Sequence, residues 1–314
     1  MPGNEIYVGF DLGGSFLKAS SFGLDGELQE RCSMDTQRCL RPEDYLDLFK
    51  DAAKSLSSTK HLKGIGVAVA GVLDLDAGKV IDSPNLPALC GVPLLGMLED
   101  SFSPIPPQMM NDANAAALGE FFAGAGVGCE SMFILTLGTG VGGGFVQNGE
   151  IWGGASGMAG EIGHMAIETN GKPCTCGSRG CLEAYFSGWA LERDARNHAE
   201  RYPDSAIGLI DKISPASLSE LADSGNLEAR TIWENGGYAL GIGIANIMNL
   251  LNPERIVLVG GLVNAKEHFL PTARMAWEER SFEQASSSSK VALGKLGEWA
   301  GVRGAIQPLL QEAR

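Results

Sequence analysis

Long apolar runs are missing from these 314 residues, and none approaches the roughly 20 consecutive apolar residues that a bilayer-spanning helix needs. The opening, Met1 to Glu5, runs straight into Ile6–Phe10 without the basic start and long apolar segment of a secretory leader. A cytoplasmic protein is the expectation. Positive charge is also in short supply, with 24 Lys and Arg against 38 Asp and Glu, a formal net charge of −14. That field repels nucleic acid and anionic membrane, so neither is an expected partner. A phosphate group bound here must rely on backbone N–H groups, a metal ion and a few local cations. The seven cysteines make an odd set, and without a leader they argue against a disulfide framework. Low-complexity linkers are lacking too; the Ser286–Ser289 run is the one expected flexible loop.

What remains has the balance of a globular chain, long enough for one large domain or two ordinary ones. Ile6–Phe10 and Leu17–Phe22 read as strands, and Leu24-Asp25-Gly26-Glu27 as a turn, since Asp-Gly between apolar runs signals a hairpin. Arg41-Pro42-Glu43-Asp44 opens a helix through about Ser58. Lys63–Ala70 and Gln108–Asn111 are further strands, and Ala113–Phe122 a helix. The opening pattern then recurs: strand Met132–Leu137, a glycine loop over Gly138–Gly144, and an Asn148-Gly149 turn. Asp11 to Gly138 and Asp25 to Asn148 are nearly equal offsets, which suggests a duplicated architecture of two related lobes facing a cleft. Gly236–Leu251 predicts a long helix, Ile256–Val259 a strand with a Gly260-Gly261 turn, and Gly301–Arg314 a closing helix packed back on the first lobe.

Asp11-Leu-Gly13-Gly14-Ser15-x-x-Lys18 puts an acid at a strand end, then two glycines, a hydroxyl and a lysine. Glycines let backbone approach phosphate closely, the hydroxyl and successive N–H groups donate to its oxygens, and the acid can hold Mg²⁺ or its water shell. Leu137–Gly144 supplies a second such loop and Val259-Gly260-Gly261 a third. Glycine turns between strands are common, so the weight lies in finding three. None is a Walker P-loop or a Rossmann fingerprint.

Cys174-x-Cys176 and Cys181, with His164 ten residues upstream, offer three thiolates and an imidazole, the complement of a closed tetrahedral structural zinc site. A redox-active cysteine pair is the alternative, and His164 read alone is equally a core histidine. Asn111-Asp112-Ala-Asn follows a strand and starts an alanine-rich helix. Asp and Asn are ordinary N-caps there; the functional reading makes Asp112 the base that accepts a proton from an attacking hydroxyl. Glu161 and Glu183 flank the cysteine segment and suit either neutral sugar hydroxyls or a plain surface.

Together these motifs, with Ser83-Pro-Asn85-Leu86 and Glu161-Ile-Gly-His164, resemble the ROK family (repressor, open reading frame, kinase) over nearly the whole chain. Ser15 stands where that family usually has Thr, which keeps the hydroxyl. The resemblance implies an α/β, actin-like (ribonuclease H-like) ATPase fold with two lobes around a central cleft. The expected lobes are 1–112, joined by a C-terminal helix at about 302–314, and 113–301 with the zinc motif. It implies an ATP-dependent kinase for the 6-hydroxyl of glucose or a close relative, with Asp112 as base. Gly71, Asn85, Asn111, Glu161, His164 and Glu183 would contact the sugar. Asp11, Gly13, Gly14, Ser15 and Lys18 would serve ATP and Mg²⁺, with Gly138, Thr139, Gly140, Gly260 and Gly261. His164, Cys174, Cys176 and Cys181 would hold zinc, and the chain would form a homodimer. N-acetylglucosamine, N-acetylmannosamine and fructose are the alternative substrates. Loops 86–92 and 153–159 are the expected shapers of that choice. A silent sugar sensor, or a repressor with a helix-turn-helix ahead of the first loop, is the competing class; the ten residues before Asp11 and the acidic charge disfavour the repressor.

Overall fold

Alternation of apolar residues cannot explain β1 (Glu5–Leu12), where Ile6, Tyr7, Val8, Phe10 and Leu12 are all buried. Such a run belongs to a central strand covered on both faces. The computed structural model, which describes residues 4–57 and 60–313, gives it that place. β1 pairs antiparallel with β2 (Phe16–Gly23), which pairs antiparallel with β3 (Leu28–Asp35). Helix α1 (Pro42–Leu56) follows; Ser58, where the sequence ended it, lies outside the described residues. β4 (His61–Val69) lies parallel to β1 on its other side. A small hairpin, β5 (Val72–Asp74) and β6 (Lys79–Asp82), and helix α2 (Leu94–Phe102) lead to β7 (Pro107–Asn111), parallel to β4. The sheet order is β3-β2-β1-β4-β7. Helix α3 (Asp112–Ala123) starts where β7 ends.

The second sheet repeats this plan. β8 (Ser131–Leu137) and β9 (Val141–Gln147) form an antiparallel hairpin, followed by the two-residue β10 (Glu150–Ile151). Helices α4 (Gly188–Arg201), α5 (Pro215–Asp223) and α6 (Leu227–Leu251) precede β11 (Arg255–Val259), which is parallel to β8. α7 (Lys266–Arg280) and α8 (Glu283–Ser288) lead to β12 (Lys290–Leu293), parallel to β11. The strand ends match Asp11 to Thr136, not to Gly138 as the sequence offset suggested, because Leu12 pairs Leu17 across the first turn and Leu137 pairs Val141 across the second. α6 starts nine residues earlier than expected, capped by Asn226, whose side chain accepts from the Ala229 amide. Ser286–Ser288 is helix rather than flexible loop, and Ser289 is buried with its hydroxyl on the Pro253 carbonyl at 2.6 Å.

The closing segment is two short helices, α9 (Ala300–Ala305) and α10 (Gln307–Glu312). Pro308 cannot donate to the turn before it, which accounts for the break at Ile306. The chain divides into one unit of residues up to Val127, Gly149–Ile151 and the segment from Lys295, and another of Gly128–Asn148 and Trp152–Gly294. The crossings therefore fall after Val127 and before Lys295, not after residue 112 and near 302. α3 stays with the first unit because it packs on α9 almost backbone to backbone: a Cβ on Gly304 would lie 1.6 Å from the Ala115 carbonyl oxygen. Glu120 of α3 is fully buried, and its carboxylate accepts from the amides of Ala125, Lys295 and Leu296 at 2.7–3.1 Å. Among the described residues no helix is long and apolar enough to cross a membrane.

Candidate active site

In the first unit, register brings the site together. Leu12, Val69 and Asn111 are aligned across the three parallel strands, so the residues at their carboxyl ends are neighbours. The crevice at such strand ends is where open α/β sheets bind ligands. Asp11 is pushed up to about 7, first by burial and then by the charge of Asp112, with Lys18 opposing. Two carboxylates and one ammonium thus share this corner. Lys18 is not idle: its Nζ meets the Glu298 carboxylate at 3.1 Å and the Glu298 carbonyl at 3.2 Å.

Asn111, not Asp112, is the helix cap. Its Oδ1 accepts from the Ala113 and Asn114 amides at 2.9 and 3.2 Å, while its Nδ2 donates to the Gly71 carbonyl at 3.0 Å. Asp112 is the first residue of α3, so capping is not its task. Gly71 adopts φ +122°, and a Cβ there would lie 2.4 Å from the Asp82 carbonyl oxygen. Ser83, fully buried, donates to the Ala70 carbonyl at 2.8 Å and sets the turn that exposes Asn85. Gly14 lies against Asn85, where a Cβ would come within 2.9 Å of its backbone oxygen. Ser15 is exposed at the tip of the turn. Thr36 was not anticipated; it is buried and ties the loop down, donating through Oγ1 to Gly13 and through its amide to Ser15, each at 3.0 Å.

In the second unit, Gly138-Thr139-Gly140 turns between β8 and β9. The Gly188 and Trp189 amides at the start of α4 donate to the carbonyls of Gly138 and Thr139 at 2.8 and 3.3 Å. Gly260, with φ +102°, approaches so closely that a Cβ would lie 2.3 Å from the Leu137 carbonyl oxygen. These turns border a cavity of about 720 Å³, lined also by Gly261, Trp189, Trp233, Ser219, Glu220 and Asp223. Half of its wall comes from α4 and α5, whose residues carry no motif; Gly138, Thr139 and Gly261 are the lining residues that the sequence marks.

Glu161 and His164 stand on a 3₁₀ turn held against β9, where a Cβ on Gly163 would lie 2.0 Å from the Val141 carbonyl oxygen. Both are exposed. One ligand atom from each of His164, Cys174, Cys176 and Cys181 falls within 4.8 Å of every other. His164 Nδ1 is 3.8 Å from Cys174 Sγ, and Cys176 and Cys181 sulfurs are 3.8 Å apart. Two sulfurs about 2.3 Å from a tetrahedral zinc are separated by roughly that much, so the donor set fits one ion. Burial and the neighbouring thiols push Cys181 up to about 12, which a cation among the three sulfurs would reverse. Glu183 is buried. Oε2 accepts from the Val141 amide at 2.9 Å, and Oε1 from Trp189 Nε1 at 3.2 Å and Thr175 Oγ1 at 3.4 Å.

Two hairpin-led α/β sheets with glycine turns at their strand ends define a phosphate-handling class of protein. The chain belongs to the ROK family, whose model matches residues 7–312. ROK kinases have the actin-like ATPase fold, and the α/β architecture here agrees with it. A glucokinase of Halalkalibacterium halodurans is 35% identical over 308 residues, covering 95% of this chain and 93% of that protein. A xylose repressor of Caldicellulosiruptor bescii is 30% identical over 315 residues, covering 97% of this chain and 78% of the repressor. The structure of a ROK family glucokinase from Streptomyces griseus in complex with glucose and AMPPNP superposes with a TM-score of 0.81 at 30% identity, covering 98% of this chain and 99% of that one.

Proposed function

We propose that this chain is a kinase that transfers the γ-phosphoryl group of ATP to the 6-hydroxyl of glucose or a close relative, with Asp112 as base. The observation that carries the proposal is the corner at the ends of β1, β4 and β7, where Asp112 opens α3 beside the charge of Asp11 while Asn111 takes over the capping. The match to a glucokinase over nearly the full length of both chains supports it. In the proposed step the sugar oxygen attacks the γ-phosphorus, its proton passes to the Asp112 carboxylate, and the bond to the bridging oxygen breaks to release ADP. Mg²⁺, held near Asp11, would offset charge on the phosphates. Gly13, Gly14, Ser15, Lys18, Gly138, Thr139, Gly140, Gly260 and Gly261 would serve ATP, with the 720 Å³ cavity taking the nucleoside. Gly71, Asn85, Asn111, Glu161, His164 and Glu183 would contact the sugar. Zinc on His164, Cys174, Cys176 and Cys181 would be structural. A cytoplasmic protein and a homodimer belong to the same proposal, the homodimer on the family resemblance alone.

Asp112→Asn should keep the fold and lower turnover by about three powers of ten or more. A coupled ADP-release assay across glucose, N-acetylglucosamine, N-acetylmannosamine, mannose and fructose reads this and ranks the sugars. A variant that keeps a tenth of the wild-type rate removes Asp112 as the base. The xylose repressor match favours a second reading, a sugar-binding sensor without turnover; wild-type protein that binds a sugar but releases no ADP with any of the five would establish it.

A further inference from the structure

Lys18 draws its partners from the far end of the chain. Its ammonium meets the Glu298 carboxylate at 3.1 Å and the Glu298 carbonyl at 3.2 Å. An ammonium has three N–H donors, so a single residue engages two of them. Glu298 belongs to a 3₁₀ turn, Gly297–Trp299, which runs directly into α9.

Register shows what this turn crosses. Asp11 on β1 is the cross-strand partner of Lys18 on β2, so both side chains share one face of the sheet. Ser20 lies two residues beyond Lys18 and pairs with Arg31 on β3, which puts Arg31 on the same face. The segment 298–301 meets all three of these side chains. The Arg31 guanidinium lies 4.7 Å from the centre of the Trp299 ring, a cation–π contact. Gly301 abuts Asp11, where a Cβ would lie 2.6 Å from Oδ2. Glu298 takes Lys18. An exposed ion pair alone fixes little. Here the neighbouring Trp299 and Gly301 anchor the segment, and the Lys18 side chain is only 22% exposed.

We propose that Glu298 is a positioning residue for the phosphoryl donor: it holds the Lys18 ammonium on the Asp11 face, with the third N–H group turned to a phosphate oxygen. The inference rests on the kinase reading and adds to it the residue that sets Lys18. No motif marks Glu298, because its partner lies 280 positions away.

The test is calorimetric titration with AMPPNP and Mg²⁺ in the absence of sugar, for wild type, Glu298→Ala, Lys18→Met and the double variant. The best sugar of the ADP-release assay is titrated separately. Glu298→Ala should weaken AMPPNP binding about five-fold and Lys18→Met about ten-fold, and the double variant should bind no more weakly than Lys18→Met. Sugar affinity should stay within about two-fold of wild type throughout. Glu298→Gln keeps an uncharged acceptor and should fall between wild type and Glu298→Ala. Losses that multiply in the double variant would show that Glu298 acts without Lys18, and would overturn the inference. So would tighter AMPPNP binding by Glu298→Ala, the mark of an acid that withholds Lys18 from phosphate. If Lys18→Met does not fold, the Glu298 variants decide alone, and AMPPNP affinity within about two-fold of wild type in both overturns the inference. Wild type that binds no AMPPNP would instead overturn the kinase reading itself.

Discussion

Asp11 shows how one side chain registers its surroundings. A carboxyl that titrates near 3.8 when exposed is pushed up to about 7 here, by burial first and by Asp112 second. A raised folded-state pKa favours the protonated form, so its stabilisation is present below the unfolded value and is lost as pH rises through the folded one. In protein free of nucleotide and divalent cations, the Asp11 contribution should therefore decline between about pH 4 and pH 7. Asp11→Asn removes that titration. Its denaturant midpoint should exceed that of wild type at pH 8, and the difference should shrink at pH 5. An equal difference at both pH values would show that Asp11 is not held in this state. Asp112 teaches the converse. The sequence could not separate it from Asn111 as a cap, because both residue types cap equally well; only the bonds of Asn111 to Gly71, Ala113 and Asn114 do so.

Among the elements, the segment from Trp152 to Ser187 is unusual in having no helix or strand beyond short 3₁₀ turns. Its order depends on isolated bridges such as Ala166 to Cys181 and Pro173 to Arg179, and on its four clustered ligands. A metal there would add to the segment's few apolar contacts. Protein purified without added metal should carry about one zinc per chain, and chelation should expose this segment to protease before the rest of the second unit. Zinc-free protein with an unchanged cleavage pattern would refute it. Strands β1, β2, β4, β7, β8 and β11 were legible because β-branched runs and Asp-Gly or Asn-Gly turns carry their signal locally; β3, β5, β6 and β12, exposed or only half-buried, were not. Nor were helices α4 and α7. α4 is rich in charge, with few buried apolar residues to set a period, and Pro271 lies inside α7, where it reads as a breaker. The cysteine cluster could be read from spacing, but the hydrogen bonds of Glu183 could not, since its partners lie at 141, 175 and 189.

At the scale of the whole molecule, residues distant in sequence complete the first unit. α9 lies on β1, β4 and α3 through glycines: a Cβ on Gly66 would be 1.9 Å from the Ala305 oxygen, and one on Gly119 would be 2.1 Å from the Ala300 oxygen. Gly304→Ala would drive a methyl group into the Ala115 carbonyl and should cost about 3 kcal/mol. Urea unfolding measures this, and a loss below about 0.5 kcal/mol would mean that α9 can shift freely.

The buried carboxylate of Glu120 also has a consequence for synthesis. Its partners at Lys295 and Leu296 leave the ribosome only after the whole second unit has been made. Until then the ionisable group has only the Ala125 amide, and Tyr7 and Phe22 have no Val302 or Ile306 to pack against. The second unit can mature on the nascent chain while the first waits, an inversion of the usual vectorial order in which N-terminal parts settle first.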